Sequence, residues 1–431
     1  MQTSDPFVSA QYESRRISWR GHRKGYDRGN EAGDPMKQTE QAAHLADVLA
    51  LFREHGELSR TAVMERTGLS RSTVNQRLAT LVERGLLMPT SGGASTGGRP
   101  STVFAVNLDG PVLLTADIGA SGLIAAACDL RGTPLRRETI EVDVWDGPEA
   151  VLALVVAAFQ RLVSDGHVVG IGIGVPGPVE FAAGRVRNPP IMTGWDGFDI
   201  AGFLQGPFPD APVVIENDAN ARARAEAHHH GADDLISLKL GTGIGSGLVF
   251  NGQTIRGAVG AAGDVGHTRA VADGVDTSPL PCRCGNSGCV EAYASGWALV
   301  RDLSEADPSI RHVADVTAGV LRGDMRATQA VRQAGRILGE AVADLVNILN
   351  PRMIVISGQL GECGEVLMSG LRERVYLRTH PLATRELVIR TSDLGDRAGI
   401  IGLALTTADQ VFSRERLDRG PATALPAAAA T

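Results

Sequence analysis

Three thiols fall within eight residues at Cys282-Arg-Cys284-Gly-Asn-Ser-Gly-Cys289, the segment that most restricts the path its chain can take. Bent by Gly285 and Gly288, these thiols reach one ion only if the loop curls around it. Five cysteines in 431 residues make a poor disulfide framework, so the spacing points to metal rather than bridges. His267 upstream is a candidate fourth ligand, completing a tetrahedral Cys3His zinc site. Four protein ligands leave no open position, so the ion is expected to be structural and to order a glycine-rich loop. The plainer alternative is a cluster of reduced cysteines. His228-His229-His230 reads as a solvated helix end, because consecutive helical residues point in different directions. Cys128 and Cys363 read as core or near-surface thiols.

Apolar residues make up 43% of the chain and charged residues 21%, which suits a globular protein and argues against wholesale disorder. At about 150 residues per domain, the length predicts roughly three domains. The longest apolar run, Ala150 to Phe159, is far short of the ~18–20 residues that span a bilayer. Met1 to Asn30 has no apolar core of a signal peptide, so a cytoplasmic location and no membrane partner are expected. The net charge of −7 conceals a split. Residues 1–100 carry 14 basic and 11 acidic residues, leaving 28 against 38 for the remainder, so a mildly basic front precedes an acidic body. Residues 1–40 are polar without apolar periodicity and read as a disordered tail, with Met36 as an alternative start; residues 416–431 read as a second tail.

Residues 41–107 read as a winged helix-turn-helix DNA-binding domain. Leu45, Val48, Leu49 and Phe52 recur at helical spacing and Gly56 ends that helix. A second helix is expected from Ser59 to Thr67. After the Gly68-Leu69-Ser70 turn, Ser70 caps a third helix whose apolar face is Val74, Leu78, Leu81 and Val82. Its other side offers Arg71, Ser72, Thr73, Asn75, Gln76 and Arg77, and no acidic residue occurs between Glu65 and Glu83. Arginine pairs with guanine, asparagine or glutamine with adenine, and hydroxyls reach phosphates, as a recognition helix requires. The glycine-rich segment 91–100 between extended stretches fits a wing, with Arg99 placed to enter a minor groove. The competing reading is a small helical bundle for dimerisation.

Residues 108–415 read as a two-lobed α/β domain. Strand-like runs at Val112–Ala116, Leu123–Cys128 and Val168–Val175 precede a second series at Val213–Ile215, Leu235–Leu240, Leu248–Phe250 and Met353–Ile356. Helices are expected at Ala150–Leu162, Thr328–Leu349 and Gly399–Val411. Two rounds of hairpins and helices suggest two related lobes around a cleft. Glycine turns at Asp117-Ile-Gly119 and Gly241-Thr242-Gly243 let backbone N–H groups approach phosphate or sugar oxygens. Glu216-Asn217-Asp218 follows a strand and opens a helix, where a carboxylate beside an amide can orient a sugar hydroxyl and take its proton; a plain helix cap fits these residues equally. Asp264-Val-Gly-His267 and Glu291 supply further polar groups for a polyol.

In this order the motifs resemble the ROK family of repressors, open reading frames and sugar kinases, over about residues 41–415. The most specific stretch runs from Leu240 to Glu291 and contains G-T-G-I-G-S-G, G-D-V-G-H and C-R-C-G-N-S-G-C-V-E. The resemblance implies a two-lobed actin-like ATPase fold, with lobe 1 at 108–230 completed by a C-terminal helix at about 399–415, and lobe 2 at 231–398 carrying the zinc loop. It implies sugar binding by Asn217, Asp218, Asp264, His267 and Glu291, with Asp218 in the place of the catalytic base, and zinc held by His267, Cys282, Cys284 and Cys289. Asp117, Gly119, Gly241, Thr242 and Gly243 correspond to the kinase phosphate loops. The winged helix and the G-R-P at 98–100 are similar to those of the family's xylose and N-acetylglucosamine repressors.

The chain departs from the family pattern in three places, one of them a longer interval from His267 to Cys282 that fits a loop inserted at 272–280. Asp264 replaces a glutamate, and D-I-G-A-S replaces D-I-G-G-T, so the methyl of Ala120 crowds the phosphate approach. The expected function is therefore a sugar- or sugar-phosphate-responsive repressor, binding a palindromic operator as a homodimer or tetramer. The alternative is a sugar kinase using ATP and Mg, with an auxiliary DNA-binding domain.

Overall fold

The computed structural model describes residues 44–90, 102–108, 110–163, 167–271 and 279–418. Arg99, the 1–40 tail and most of the C-terminal tail lie outside the described residues.

The front of the chain folds as α1 (Leu45–His55), β1 (Leu58–Ser59), α2 (Arg60–Thr67), α3 (Arg71–Glu83), β2 (Leu87–Thr90) and β3 (Val103–Val106). The stripe of α1 is buried and Gly56, at φ 77°, turns the chain out of it. Each following helix begins at a serine: Ser59 Oγ accepts from the Ala62 amide and Ser70 Oγ from the Thr73 amide, both at 3.2 Å. Such caps contribute about 1 kcal/mol each. The strands form an antiparallel sheet in the order β1-β3-β2, closing a small core of Phe52, Val63, Val74, Leu78, Leu81 and Phe104.

Two sheets of one topology follow. The first contains β4 (Pro111–Ile118), β5 (Leu123–Cys128), β6 (Pro134–Ile140), the crossover helix α4 (Pro148–Leu162) and β7 (His167–Val175). After the short pair β8 (Val179–Glu180) and β9 (Arg185–Val186) and helix α5 (Ile200–Gln205), β10 (Val213–Asn217) completes it in the order β10-β7-β4-β5-β6. Strand β10, expected to start the second series, instead pairs in parallel with β7.

Helix α6 (Asp218–His230) leads to β11 (Leu235–Leu240), β12 (Ile244–Phe250) and β13 (Gln253–Thr254). Helices α7 (Glu291–Ala294), α8 (Gly296–Ser304), α9 (Val313–Leu321) and α10 (Met325–Leu349) lead on to β14 (Met353–Ser357). Helices α11 (Glu365–Arg378) and α12 (Pro381–Thr384) precede β15 (Val388–Thr391), and α13 (Arg397–Val411) and α14 (Arg414–Asp418) end the described chain. The second sheet runs β13-β12-β11-β14-β15, so each sheet is an antiparallel meander extended by two parallel strands.

Helices α6 and α13 stand between the sheets. A Cβ at Gly247 on β12 would strike Ala223 of α6, and one at Gly170 on β7 would strike Val411 and Thr407 of α13. Where the helices cross, a Cβ at Gly402 would run into the carbonyl of Ala221. Helix α6, placed on sequence in lobe 1, thus also lines the second sheet. Helix α14 enters the segment expected as a C-terminal tail from residue 416. Leu417 is buried there and its carbonyl accepts from Arg84 Nη1 at 2.8 Å, so packing on the N-terminal helical module holds this turn in place. The winged-helix core is continuous with Leu113, Ala126, Ile400, Ala404 and Phe412 of the first sheet and α13.

Candidate functional site

Between the sheets lies a cleft of about 760 Å³, lined by the strand ends and their glycine turns. Asp117, Gly119, Asn217, Asp218, Gly241, Thr242, Gly243, Asp264, His267 and Glu291 all border it. The β4–β5 turn is closed by a 2.7 Å bond from the Gly119 amide to the Gly122 carbonyl, and the β11–β12 turn by a 3.0 Å bond from Gly241 to Gly243. Both glycine turns therefore face one cavity, one from each lobe.

Asn217 caps α6: its Oδ1 accepts from the Ala219 and Asn220 amides at 3.0 and 3.2 Å, and its Nδ2 donates to Gly177 at 3.0 Å. Asp218 is buried at the start of that helix and paired with Lys239, which projects from β11. Glu216, two residues before Asp218, is paired with Arg256 at 2.6 Å. Glu291 accepts from the Ile244 amide at 2.9 Å and from Trp297 Nε1 at 3.3 Å. A Cβ on Gly243 would sit 2.7 Å from that carboxylate, so the glycine is what lets Glu291 reach the turn. Asp117 meets Arg222 of α6 at 2.7 Å, with side chains only 4% and 9% exposed. Its Oδ1 has no hydrogen-bond partner among the described residues. Lys239 and Arg222 were not singled out on sequence; their residue types carry no motif, and only the fold places them on the two key carboxylates.

One wall of the cleft is the cysteine loop. His267 ends a 3-10 turn, and its ring lies with the thiols of Cys282 and Cys284, the ligating atoms within 4.8 Å of one another. Cys289 Sγ is 3.7 Å from Cys284 Sγ. The donor set fits zinc: His267 Nε2 is buried without a hydrogen-bond partner among the described residues, as a nitrogen awaiting a metal would be. The other ring nitrogen, Nδ1, is held by Asp264 Oδ1 at 2.7 Å, the carboxylate–histidine pairing that orients metal ligands. That hydrogen bond, with the Asp264 charge, raises the His267 pKa to about 9 despite burial. Burial opposes ionisation of Cys284, but the Asn286 amide, the neighbouring thiols and His267 together hold its pKa below the ordinary thiol value. Burial drives Cys289 up to about 12. Cys128 and Cys363 are buried elsewhere, at about 12 and 11 through desolvation, with no sign of a reactive thiolate.

On the winged helix, Arg71, Ser72, Asn75 and Gln76 of α3 are exposed, while Thr73 and Arg77 are half-buried. Ser72 and Thr73 hydroxyls bond back to the Ser70 cap at 2.8 and 2.9 Å. Arg60, not singled out on sequence, joins Arg71 and Asn75 around a hollow of about 330 Å³, its guanidinium 4.8 Å from the Phe104 ring.

The IclR helix-turn-helix domain model matches residues 41–89, and the ROK family model matches residues 113–410. The chain is 29% identical to the xylose repressor of Caldicellulosiruptor bescii over 386 residues, 84% of this chain and 95% of that protein. Among solved structures, a ROK family transcriptional regulator, homolog of the E. coli MLC protein, superposes with a TM-score of 0.73 at 25% identity, covering 90% of this chain and 99% of that one. A ROK family glucokinase from Streptomyces griseus, in complex with glucose and AMPPNP, superposes with a TM-score of 0.61 at 27% identity, covering 69% and 99%. With a winged helix joined through one core to a duplicated α/β body, and a family model matched along most of its length, this chain belongs to the ROK family.

Proposed function

We propose that this protein is a sugar-responsive, DNA-binding transcriptional regulator, a repressor of carbohydrate uptake or catabolism genes. The observation that carries the reading is the pairing of both chemically important carboxylates with cations of the chain itself, Asp218 with Lys239 and Asp117 with Arg222. A phosphotransferase needs a base free to accept the sugar proton and a carboxylate free to hold Mg near the phosphates. Here, accepting a proton at Asp218 would break an ion pair, and Asp117 is half committed to Arg222. Such a cleft is suited to hold a polyol through Asn217, Asp218, Asp264 and Glu291 without turning it over, with His267, expected among the sugar ligands, instead committed through Nδ1 to Asp264 and through Nε2 to the metal. The xylose repressor relative, similar along nearly its whole length, supports the same reading.

In this reading, Arg71, Asn75 and Gln76 read base edges, Ser72, Thr73 and Arg77 position the helix on phosphates, and Arg99 enters the minor groove. His267, Cys282, Cys284 and Cys289 hold a structural zinc, which fixes one wall of the cleft. The DNA-binding unit spans 41–107 and the lobes 108–230 and 231–398. The protein acts in the cytoplasm as a homodimer or tetramer on a palindromic operator. Sugar binding weakens operator affinity by its differential affinity for the two arrangements of the winged helices.

The second reading is an ATP-dependent sugar kinase, favoured by Asp117, which borders the cleft and whose Oδ1 has no partner among the described residues, and by the glucokinase likeness. In that case Asp218 is the base and Asp117 the Mg-side carboxylate, with Gly119, Gly241, Thr242 and Gly243 around the phosphates. A coupled phosphorylation assay with ATP over a sugar panel separates the two. The regulator reading expects no turnover above background; turnover abolished by Asp218→Asn establishes the kinase.

A further inference from the structure

The second cluster of metal-ligating side chains is at the far end of α6. Its three terminal histidines diverge. His228 lies in the field of Arg224, Arg53, Arg131 and Asp409, whereas His229 and His230 stack edge to face, ring centroids 4.8 Å apart, with ligating atoms near Asp393. Ligating atoms of His229, His230 and Asp393 lie within 4.8 Å of one another. One turn earlier on the same face, Glu226 brings Oε2 to 3.5 Å from His230 Nε2.

Two features separate this group from an ordinary solvated histidine run. The Glu226 side chain is 0% exposed and that of His230 8%, yet apart from their own 3.5 Å approach Glu226 Oε2 and His230 Nε2 have no polar partner that makes a hydrogen bond among the described residues. Buried polar atoms left unpaired are rare and point to a missing partner. Their separation is also informative. Ligands at about 2.0–2.1 Å from a tetrahedral zinc sit roughly 3.3 Å apart, so the two atoms are spaced as ligands of one ion. Glu226 is held in place by Ser392, whose hydroxyl donates to Oε1 while its Oγ accepts from the Leu394 amide at 3.1 Å. That is the outer-shell support a metal ligand needs. Asp393 is paired with Arg390, which an incoming cation would share or displace.

We infer that Glu226, His229, His230 and Asp393 form a second site for a divalent first-row transition metal, separate from the cysteine loop. Two imidazoles and two carboxylates suit zinc and its neighbours rather than calcium or magnesium. The ion would join the C-terminal end of α6, the helix that begins at Asp218, to the 392–396 turn that carries the chain from β15 into α13.

Zinc uptake by the full-length protein tests this inference. Chelator-stripped protein is titrated with Zn²⁺ against a chromophoric competitor, and the equivalents bound are compared with those of a His229→Ala/Asp393→Asn variant. Both altered residues are exposed, so the fold tolerates their replacement. The expected result is one equivalent fewer in the variant, and loss of the same equivalent in Glu226→Gln. Added Zn²⁺ should also raise the melting temperature of the parent more than that of the variant. Equal uptake by parent and exposed-pair variant overturns the site, whatever the cysteine loop binds, and would leave a proton shared between Glu226 and His230 as the partner of both atoms.

Discussion

Asp218 and Asp117 are the residues on which the reading of the cleft turns, and each meets a cation from a different element. Breaking a buried pair by removing one partner costs about 3–5 kcal/mol, because the other charge is left uncompensated. Arg222→Ala is therefore expected to lose stability of that order in urea unfolding; a loss below about 1 kcal/mol would show that solvent already reaches Asp117. Asp218→Asn should retain the fold but abolish the thermal shift that the cognate sugar produces, if the carboxylate accepts from a sugar hydroxyl as the proposed function requires. At the cysteine loop, Cys284→Ser removes one of four thiolate or imidazole donors. Metal analysis should find the protein short of one zinc equivalent relative to the parent, and undiminished zinc would remove Cys284 from the ligand set. Asp264 acts here as much on His267 as on any ligand, which gives its one-methylene shortening a structural consequence.

Among the elements, α6 has the central position. It starts at the cleft with Asn217 and Asp218, crosses α13 at Gly402, and about one turn past that crossing carries Arg224. Arg224 pairs with Asp409 of α13 at 3.1 Å, and the other oxygen of Asp409 pairs with Arg53 of α1 at 3.0 Å. Arg53 also donates to the Leu130 carbonyl at 2.9 Å, so the first winged-helix element is fixed to the body through one shared carboxylate. Arg224 belongs to α6 and not to the DNA-binding module, yet hydrogen exchange across Leu45–His55 should rise in the Arg224→Ala variant. Unchanged exchange would mean that the Arg224–Asp409 pair contributes nothing to holding α1. Gly402→Ala places a methyl against the Ala221 carbonyl and should cost about 1–3 kcal/mol, measured by thermal unfolding.

At the scale of the whole molecule, local patterns were the most legible in the sequence. The stripe of α1, the Ser70 cap, the glycine turns and the Cys-x-Cys spacing each follow from residues close together in the chain, and the structure places each where local chemistry requires. What stayed hidden depends on long-range pairing. No local signal assigns β10 to the first sheet, since parallel pairing with β7 joins residues about 40 positions apart. Lys239 and Arg222 look like ordinary solvated charges until the fold sets them against Asp218 and Asp117. Helix α14 is illegible at the edge of a low-complexity tail because long-range contacts order it: Leu417 buried, its carbonyl bonded to Arg84, and Arg414 paired with Asp47. The central claim is that one body senses a sugar and the winged helix reports it on DNA. The most direct test selects DNA from a random-sequence pool with the full-length protein, then measures binding of the enriched sequence with each sugar of a panel and without ATP. The account predicts enrichment of a specific site and at least a tenfold loss of affinity with one sugar. No enriched sequence, or affinity indifferent to every sugar while ATP-dependent phosphorylation proceeds, would contradict it.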